Sequence, residues 1–210
     1  MSENDLTALI ARLAALEARE AIRDCLYRYC RGIDRFDRDL VMSVYHPDAM
    51  DDHSVFVGGR EDFWDFVHGM HGTHHHMTQH YVANHLCEID GDVAHAETYL
   101  IYAAINKEGA PFSLRGARYV DKLEKRDGKW AISERYMFSE WGAPSINTAD
   151  GAKTAEGAPN ALNLEPWQRE AAAGQARVSR DRDDPSYLRP LEIPRERKPQ
   201  YEEIKKRGGA

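Results

Sequence analysis

One carboxylate and one imidazole in this sequence are placed where they could transfer a proton together. Asp34 closes the segment Tyr29–Asp34, and His80 lies within the segment Thr78–Tyr81. A carboxylate that meets an imidazole inside an apolar cavity fixes the imidazole tautomer and favours its charged form. The imidazole can then remove or return a substrate proton without any cofactor. We therefore interpret Asp34 and His80 as a candidate catalytic pair.

Each of these two residues also has an ordinary structural explanation. Asp34 follows the apolar Ile33 where a helical pattern ends, and aspartate at such a position commonly bonds to backbone groups. His80 has Tyr81 and Val82 as neighbours, which is typical of a core histidine. Residue type alone favours these explanations, so the catalytic hypothesis depends on the elements that would position both side chains.

Helices are predicted in the first third of the chain. A long amphipathic helix is expected from Ser2, which can cap it, to about Asp34. Shorter helices are predicted at Asp37–Tyr45 and Arg60–His68, with a strand at Ala49–Val57 between them. The apolar stripe of the long helix consists of Leu6, Leu9, Ile10, Leu13, Leu16, Ile22, Leu26, Tyr29 and Ile33.

From His76 onward the pattern becomes one of strands separated by hairpin turns. Helices followed by a strand meander indicate an α+β domain, in which a curved, cone-shaped antiparallel sheet packs on the N-terminal helices. We expect residues 1–142 to form this domain. Residues 143–210 would form a C-terminal extension, with a linker at 143–163 and a short helix at Leu164–Ala176, that is partly ordered on the domain rim or at a subunit interface. The predicted strands are Met77–Ile89, Val93–Asn106, Ser113–Lys125 and Lys129–Trp141.

Composition narrows the class of protein. The chain has 210 residues, 42% of them hydrophobic, and a formal net charge of -7. That charge argues against a nucleic-acid surface, which needs clustered Lys and Arg. Three cysteines without a CxxC pair suggest neither a disulfide framework nor a zinc knuckle. No apolar run is long enough for a membrane helix, so a cytoplasmic protein is expected.

The histidine run His74–His76 raises the question of a metal site. Consecutive strand residues point to opposite faces, so His75 diverges from its two neighbours. The sequence also lacks an HExxH spacing. We therefore predict no metal and no other cofactor.

Five short motifs resemble the SnoaL-like branch of the NTF2-like superfamily, across roughly residues 8–142. This branch includes scytalone dehydratase, hexachlorocyclohexane dehydrochlorinase and bile-acid 7α-dehydratase. The resemblance implies an NTF2-like α+β barrel, a catalytic dyad of Asp34 and His80, and a functional tyrosine at Tyr29. The motifs are Ala21–Asp24, Gly32–Asp34, Tyr45–Ala49, Thr78–His80 and Arg126–Trp130.

The sequence departs from scytalone dehydratase-like members at three positions. Their second histidine, on the strand after the hairpin, has no counterpart near Tyr102 and Ala103. Ile33 replaces the tyrosine that precedes their aspartate, and Asp52 stands where they carry a tyrosine on the first strand. These departures argue against scytalone itself as the substrate.

A cone-shaped fold would place aromatic and polar side chains around a pocket suited to a flat ring compound. Asn84 would share the face of His80 if its strand is regular. We interpret Arg115, Arg118 and Arg135 as surface or interface charges rather than substrate clamps. The expected substrate-binding residues are Tyr45, Asp52, Trp64, Asn84, Tyr102, Tyr136 and Phe138.

These observations favour a cofactor-independent lyase that acts on a small, hydrophobic, hydroxylated ring compound. It would eliminate water or release a small aldehyde by retro-aldol cleavage. A non-catalytic binding protein and a ketosteroid-type isomerase are the alternatives. The aromatic strands also favour a homo-oligomer, with a trimer preferred by resemblance and a dimer second.

Overall fold

The computed structural model describes residues 1–143 and 165–209. The linker predicted at 143–163 lies outside the described residues except for Ala143. The long helix α1, Glu3–Arg35, begins with the predicted cap. The Ser2 hydroxyl accepts a hydrogen bond from the Asp5 backbone N–H, and the Asp5 carboxylate accepts one from the Ser2 backbone. This reciprocal capping satisfies two amides that have no partner within the helix.

The first half of α1 extends beyond the packed domain. Buried residues of the helix begin only at Ile22. The apolar side chains of its first half are 45–65% exposed against the described residues, and they are Leu6, Leu9, Ile10, Leu13 and Leu16. The predicted apolar stripe is therefore continuous, but only its second half faces the core.

Two short helices hold the end of α1 against the sheet. Helix α2 spans Arg38–Met42 and approaches α1 closely at Gly32. Helix α3 spans Arg60–His74 and continues beyond the predicted end at His68. No helix within the described ranges has an apolar stretch long enough to cross a membrane.

The sheet is curved, six-stranded and unclosed, with the order β2-β1-β6-β5-β4-β3. Strands β3 to β6 form the predicted antiparallel meander, whereas β1 runs parallel to β6. The predicted α+β class is confirmed, but the sheet is mixed rather than wholly antiparallel. The strands are β1 Tyr45–Asp52, β2 Val57–Gly58, β3 His75–Asp90, β4 Val93–Asn106, β5 Phe112–Arg126 and β6 Lys129–Ala143.

We call the side of the sheet that faces α1 the inner face and the opposite side the outer face. Residues 165–209, called the extension below, pack on the outer face and include α4 Pro166–Ala173 and α5 Arg197–Arg207. Arg118 of β5 forms a two-bonded ion pair with Asp184 of the extension, at 2.9 Å for each bond. Leu191 and Ile193 are each 1% exposed. The extension therefore adds apolar and ionic contacts to one end of the sheet.

Candidate active site

Asp34 and His80 meet where the last turn of α1 faces the free edge of β3. The His80 ring nitrogen Nδ1 lies 2.7 Å from Asp34 Oδ1, and the backbone N–H of His80 donates to Asp34 Oδ2 at 2.8 Å. The hydroxyl of Thr78 donates to Asp34 Oδ1 at 2.9 Å. Both side chains are mostly shielded, with exposed fractions of 8% for His80 and 10% for Asp34. The structure thus brings together the two residues that the sequence proposed as a pair.

Hydrogen bonding sets the proton positions within this pair. Burial alone would raise the pKa of Asp34, but the bonds and charge from His80 and the bond from Thr78 outweigh burial and lower it. An ionised carboxylate only accepts hydrogen bonds, so Nδ1 of His80 must carry the proton. The other ring nitrogen, Nε2, is then the basic atom, and it has no hydrogen-bond partner among the described residues. It is free to take a proton from a bound molecule.

A polar cluster lies beside the dyad on the inner face. Tyr102 pairs with His80 across β3 and β4, and their rings are 5.0 Å apart. The Tyr102 hydroxyl lies 3.5 Å from His71 Nδ1 and 3.4 Å from His75 Nε2. The His71 and His75 rings approach through their Nδ1 atoms at 3.1 Å. Tyr102 was predicted to bind substrate, whereas His71 and His75 were not assigned to the site.

Burial keeps both added histidines neutral at neutral pH. It lowers the pKa of His71 to about 3, with further contributions from His80 and His75. Burial and the neighbouring His74 lower the pKa of His75 to about 4. His71 lies in the last turn of α3 and His75 directly follows the helix, four residues later. Residues with this spacing are neighbours on a helix, and this is the sequence signal that could have identified them.

A groove of about 340 Å³ reaches the dyad from the edge of the sheet, between α1 and β3. Asp34 and His80 contribute to its wall, together with Tyr27, Arg31 and Arg35 from α1. The dyad is thus accessible to a small molecule even though its side chains are largely shielded.

Tyr29 lies in a buried aromatic cluster next to the dyad. It is 1% exposed, and its ring stacks between Phe63 and the edge of Tyr119. The guanidinium of Arg135 lies 4.4 Å from the Tyr29 ring and 4.0 Å from the Tyr119 ring. Burial raises the pKa of Tyr29 well above its ordinary value. No hydrogen bond within the described residues joins Tyr29 to Asp34 or His80.

The interpretation of Arg135 and Arg118 as surface charges is wrong. Arg135 is fully buried and bound by both oxygens of Asp121, at 2.7 and 2.8 Å. Arg118 is 4% exposed and is bound by Asp184 of the extension. Both guanidinium groups are internal because carboxylates from neighbouring strands or from the extension neutralise them.

Tyr45 and Trp64 are buried near the helices. The Tyr45 hydroxyl donates to Asp51 at 2.6 Å, and the ring lies 6.0 Å from that of Tyr29. Trp64 of α3 stacks on His68 at 5.3 Å. Within the described residues, no hydrogen bond or ring contact joins Tyr45 or Trp64 to His80.

Three predicted pocket residues lie on the outer face instead. Asp52 is fully buried and binds Arg197 of α5 at 2.9 Å, so it anchors the extension. Tyr136 pairs with Asp52 across β1 and β6, and it stacks on Phe138 at 5.5 Å. Strand alternation explains the error, because Arg135 and Met137, the neighbours of Tyr136 on either side, take the inner positions.

Asn84 is also misplaced by the prediction. The pairing of β3 with β4 shifts register between Val82 and His85. This bulge exchanges the two faces, so Asn84 is exposed and His85 turns inward to bond with Thr98 at 2.9 Å. The prediction for Asn84 required a regular strand, and β3 is irregular at this position.

No group of three or more His, Cys, Asp or Glu side chains in the described ranges is arranged to hold a metal ion. His71, His75 and His80 are near one another, but His71 and His75 contact each other and Tyr102, whereas His80 bonds to Asp34. The chemistry that this arrangement supports is proton transfer by His80.

Comparison with known proteins places this geometry in context. The sequence model of the SnoaL-like domain family matches residues 14–136. A search among curated proteins finds no match. Solved structures share the fold at low sequence identity, and at such identity the likeness shows the fold alone.

Three of these structures illustrate the range of sequence identity, from 17% to 24%. The hexachlorocyclohexane dehydrochlorinase LinA-type3 from Novosphingobium barchaimii LL02 is 24% identical, with 65% of this chain and 95% of that chain covered and a TM-score of 0.61. A candidate scytalone dehydratase from Novosphingobium aromaticivorans DSM 12444 is 18% identical, with 61% and 88% covered and a TM-score of 0.57. The Kfla4162 protein from Kribbella flavida is 17% identical, with 62% and 96% covered and a TM-score of 0.57.

Proposed function

This chain belongs to the SnoaL-like domain family, and from that premise we propose that it is a cofactor-independent lyase. Its substrate would be a small, hydroxylated ring compound, from which it eliminates water or releases a small aldehyde by retro-aldol cleavage. The observation that carries the proposal is the 2.7 Å contact between Asp34 and His80, in which Nε2 of the imidazole has no hydrogen-bond partner among the described residues. The family membership confirms the resemblance that the sequence motifs indicated.

In the elimination, Nε2 of His80 removes a proton from the carbon next to the one that bears the hydroxyl group. The electrons of the broken C–H bond form the new C=C bond, and the C–O bond breaks. Asp34 stabilises the imidazolium that develops on His80. The departing oxygen takes a proton from a nearby donor and leaves as water.

Tyr102 is better placed than Tyr29 to donate to that oxygen. Its ring lies 5.0 Å from the His80 ring, across the same strand pair. Tyr29, which the family resemblance suggested for this role, is enclosed by other aromatic rings and Arg135. We therefore assign proton donation to Tyr102 and a packing role to Tyr29.

The arrangement of Asp34 disfavours an isomerase that uses aspartate as its base. Its carboxylate already accepts three hydrogen bonds, from the His80 ring, the His80 backbone and Thr78. These bonds lower the pKa of Asp34 against the effect of burial, which makes it a weak base. A base in such an isomerase would need a less stabilised carboxylate.

The test is turnover by His80→Ala and Asp34→Asn variants on a panel of hydroxylated cyclic compounds, followed by mass spectrometry for loss of water or aldehyde. Loss of the general base should lower the rate by about 10²–10⁴-fold. His76→Ala is the matched control, because His76 lies on the same strand but is exposed. If both dyad variants keep near wild-type rates, the site is a binding pocket and the lyase proposal fails.

A further inference from the structure

Arg115 is an inner-face charge that the dyad chemistry does not use. Its side chain is only partly exposed. Within residues 1–143 and 165–209 it has neither an ion-pair partner nor a hydrogen-bond acceptor. Arg118 and Arg135, by contrast, are each held by carboxylates. A half-buried cation without a counter-charge is unfavourable in the free protein unless a ligand supplies that charge.

Strand register places Arg115 in one row with the dyad. Tyr102 pairs with His80 on one side and with Arg115 on the other. Side chains at paired positions lie on the same face, and neighbouring strands are about 4.8 Å apart. Arg115 therefore lies two strand spacings from His80, or about 10 Å between Cα atoms. The charge of Arg115 opposes the burial that raises the pKa of Tyr102 and adds to the burial that lowers the pKa of His75.

We infer that Arg115 binds an anionic group of the substrate, a carboxylate on the ring compound whose proton His80 removes. The claim that His80 removes a proton from this compound rests on the proposed lyase function, whereas the claim that Arg115 binds an anion does not. Arginine suits this role because its planar guanidinium can donate two parallel hydrogen bonds to one carboxylate.

The charges around Arg115 favour an anion. His71 and His75 are neutral at neutral pH, and no carboxylate of the described residues neutralises the guanidinium. Burial lowers the pKa of Arg115, and a bound carboxylate would offset that effect. Tyr102, between Arg115 and His80, could donate to the same ligand.

The groove that reaches the dyad adds an independent indication. Two arginines of α1 lie along it, although the chain as a whole carries a net charge of -7. They are Arg35 and Arg31, and Arg31 also pairs with Asp37 at 3.7 Å. Local positive charge at the mouth of a site raises the encounter rate of anionic ligands. The groove by which a molecule reaches the dyad therefore carries charge that attracts an anion.

The experiment compares two probes of nearly equal shape, 4-fluorobenzoate and 4-fluorobenzamide, by fluorine NMR titration of the full chain. The wild type should bind the acid about tenfold or more tightly than the amide, as expected for a charge-assisted contact. Arg115→Gln should remove this preference, and Arg115→Lys should restore part of it. Arg180→Gln is the matched control, since it removes the same charge from an exposed position on the extension.

Equal affinity of the wild type for the two probes, or a preference that survives in Arg115→Gln, would overturn the inference. Asp34→Asn separates the two proposals, because it should abolish turnover while the preference for the acid remains. If the preference persists but Asp34→Asn retains full activity, the lyase proposal fails and the anion site stands. If turnover depends on the dyad but the acid is not preferred, the anion site alone fails.

Discussion

Asp34 holds His80 by its ring and by its backbone at once. The backbone N–H of His80 holds the carboxylate in place, and the imidazole cannot rotate without losing its own hydrogen bond to that carboxylate. Positioning of this kind brings a catalytic group to its reactive orientation before substrate binds, which is where much of the rate advantage of a site arises. In the polar cluster beside the dyad, His71 and His75 are neutral at neutral pH because burial lowers their pKa values.

That burial predicts a pH effect on stability through His71. Its pKa is about 3 in the folded chain, whereas an unperturbed histidine has a pKa of about 6.5. Between these values only the unfolded state binds the proton, so the free energy of unfolding falls as pH falls, by up to about 1.4 kcal/mol per pH unit. His71→Phe removes this contribution.

Urea unfolding near pH 7 and near pH 5 should therefore show a smaller loss of stability in His71→Phe than in the wild type, by up to about 2 kcal/mol. His76→Phe, at an exposed position, serves as the control and should behave as the wild type. Equal losses in all three proteins would contradict a depressed pKa at His71.

At the scale of elements, the junction of α1 and α2 decides where Asp34 lies. Gly32 is two residues before Asp34, and a methyl group added there would lie 2.6 Å from Val41 Cγ2 and 3.2 Å from the Val41 backbone nitrogen. Val41 is fully buried, so it cannot move aside freely. The absence of a side chain at Gly32 thus allows the two helices to pack closely beneath the dyad.

Gly32→Ala should destabilise the chain by about 1–3 kcal/mol through overpacking, although alanine is the better helix former. The end of α1 should also shift, so activity should fall more than stability alone explains. Gly69→Ala in α3 is the control, because an added methyl there meets nothing within 4 Å. It should raise stability by up to about 1 kcal/mol. Calorimetry and rate measurements on both variants would check this, and unchanged activity in Gly32→Ala would contradict it.

Local signals predicted most elements, and the errors came from non-local pairing. The cap at Ser2 and the hairpin turn at Asp127–Gly128, where both residues have positive φ, are encoded within a few residues. The parallel pairing of β1 with β6 and the bulge after Val82 depend on neighbours distant in sequence.

Asp34 and His80 could be proposed as a pair only through the family resemblance, since spacing does not reveal contact. Helix α5 was not predicted because its sequence is mostly charged. The packing of Tyr201 against Phe56 stabilises it.

At the scale of the whole molecule, the outer face is covered unevenly. The extension packs over Tyr136 and Phe138, whereas the other half of the sheet exposes a row of apolar side chains. Tyr81, Ile101 and Trp141 follow one register line across the strands and are 52%, 39% and 50% exposed against the described residues. A contiguous apolar patch of this kind is typical of a subunit interface.

We therefore predict a homo-oligomer that uses this patch. The family resemblance favours a trimer, with a dimer second. Light scattering on the wild type at micromolar concentration should give a mass above that of one chain. Ile101→Glu should shift it towards monomer, because a charge in the centre of an apolar interface is costly. Lys206→Glu, on an exposed position of α5, should leave the mass unchanged. A monomeric wild type would refute the prediction.

The ion pair between Asp52 and Arg197 links residues 145 positions apart. During synthesis at about 5–20 residues per second, the carboxylate of Asp52 exists for roughly 7–30 seconds before its partner has been made. Over that interval Asp52 must remain hydrated or protonated, so the outer face of β1 in the nascent sheet stays open to water. The ion pair that covers Asp52 can therefore form only after helix α5 has been synthesised.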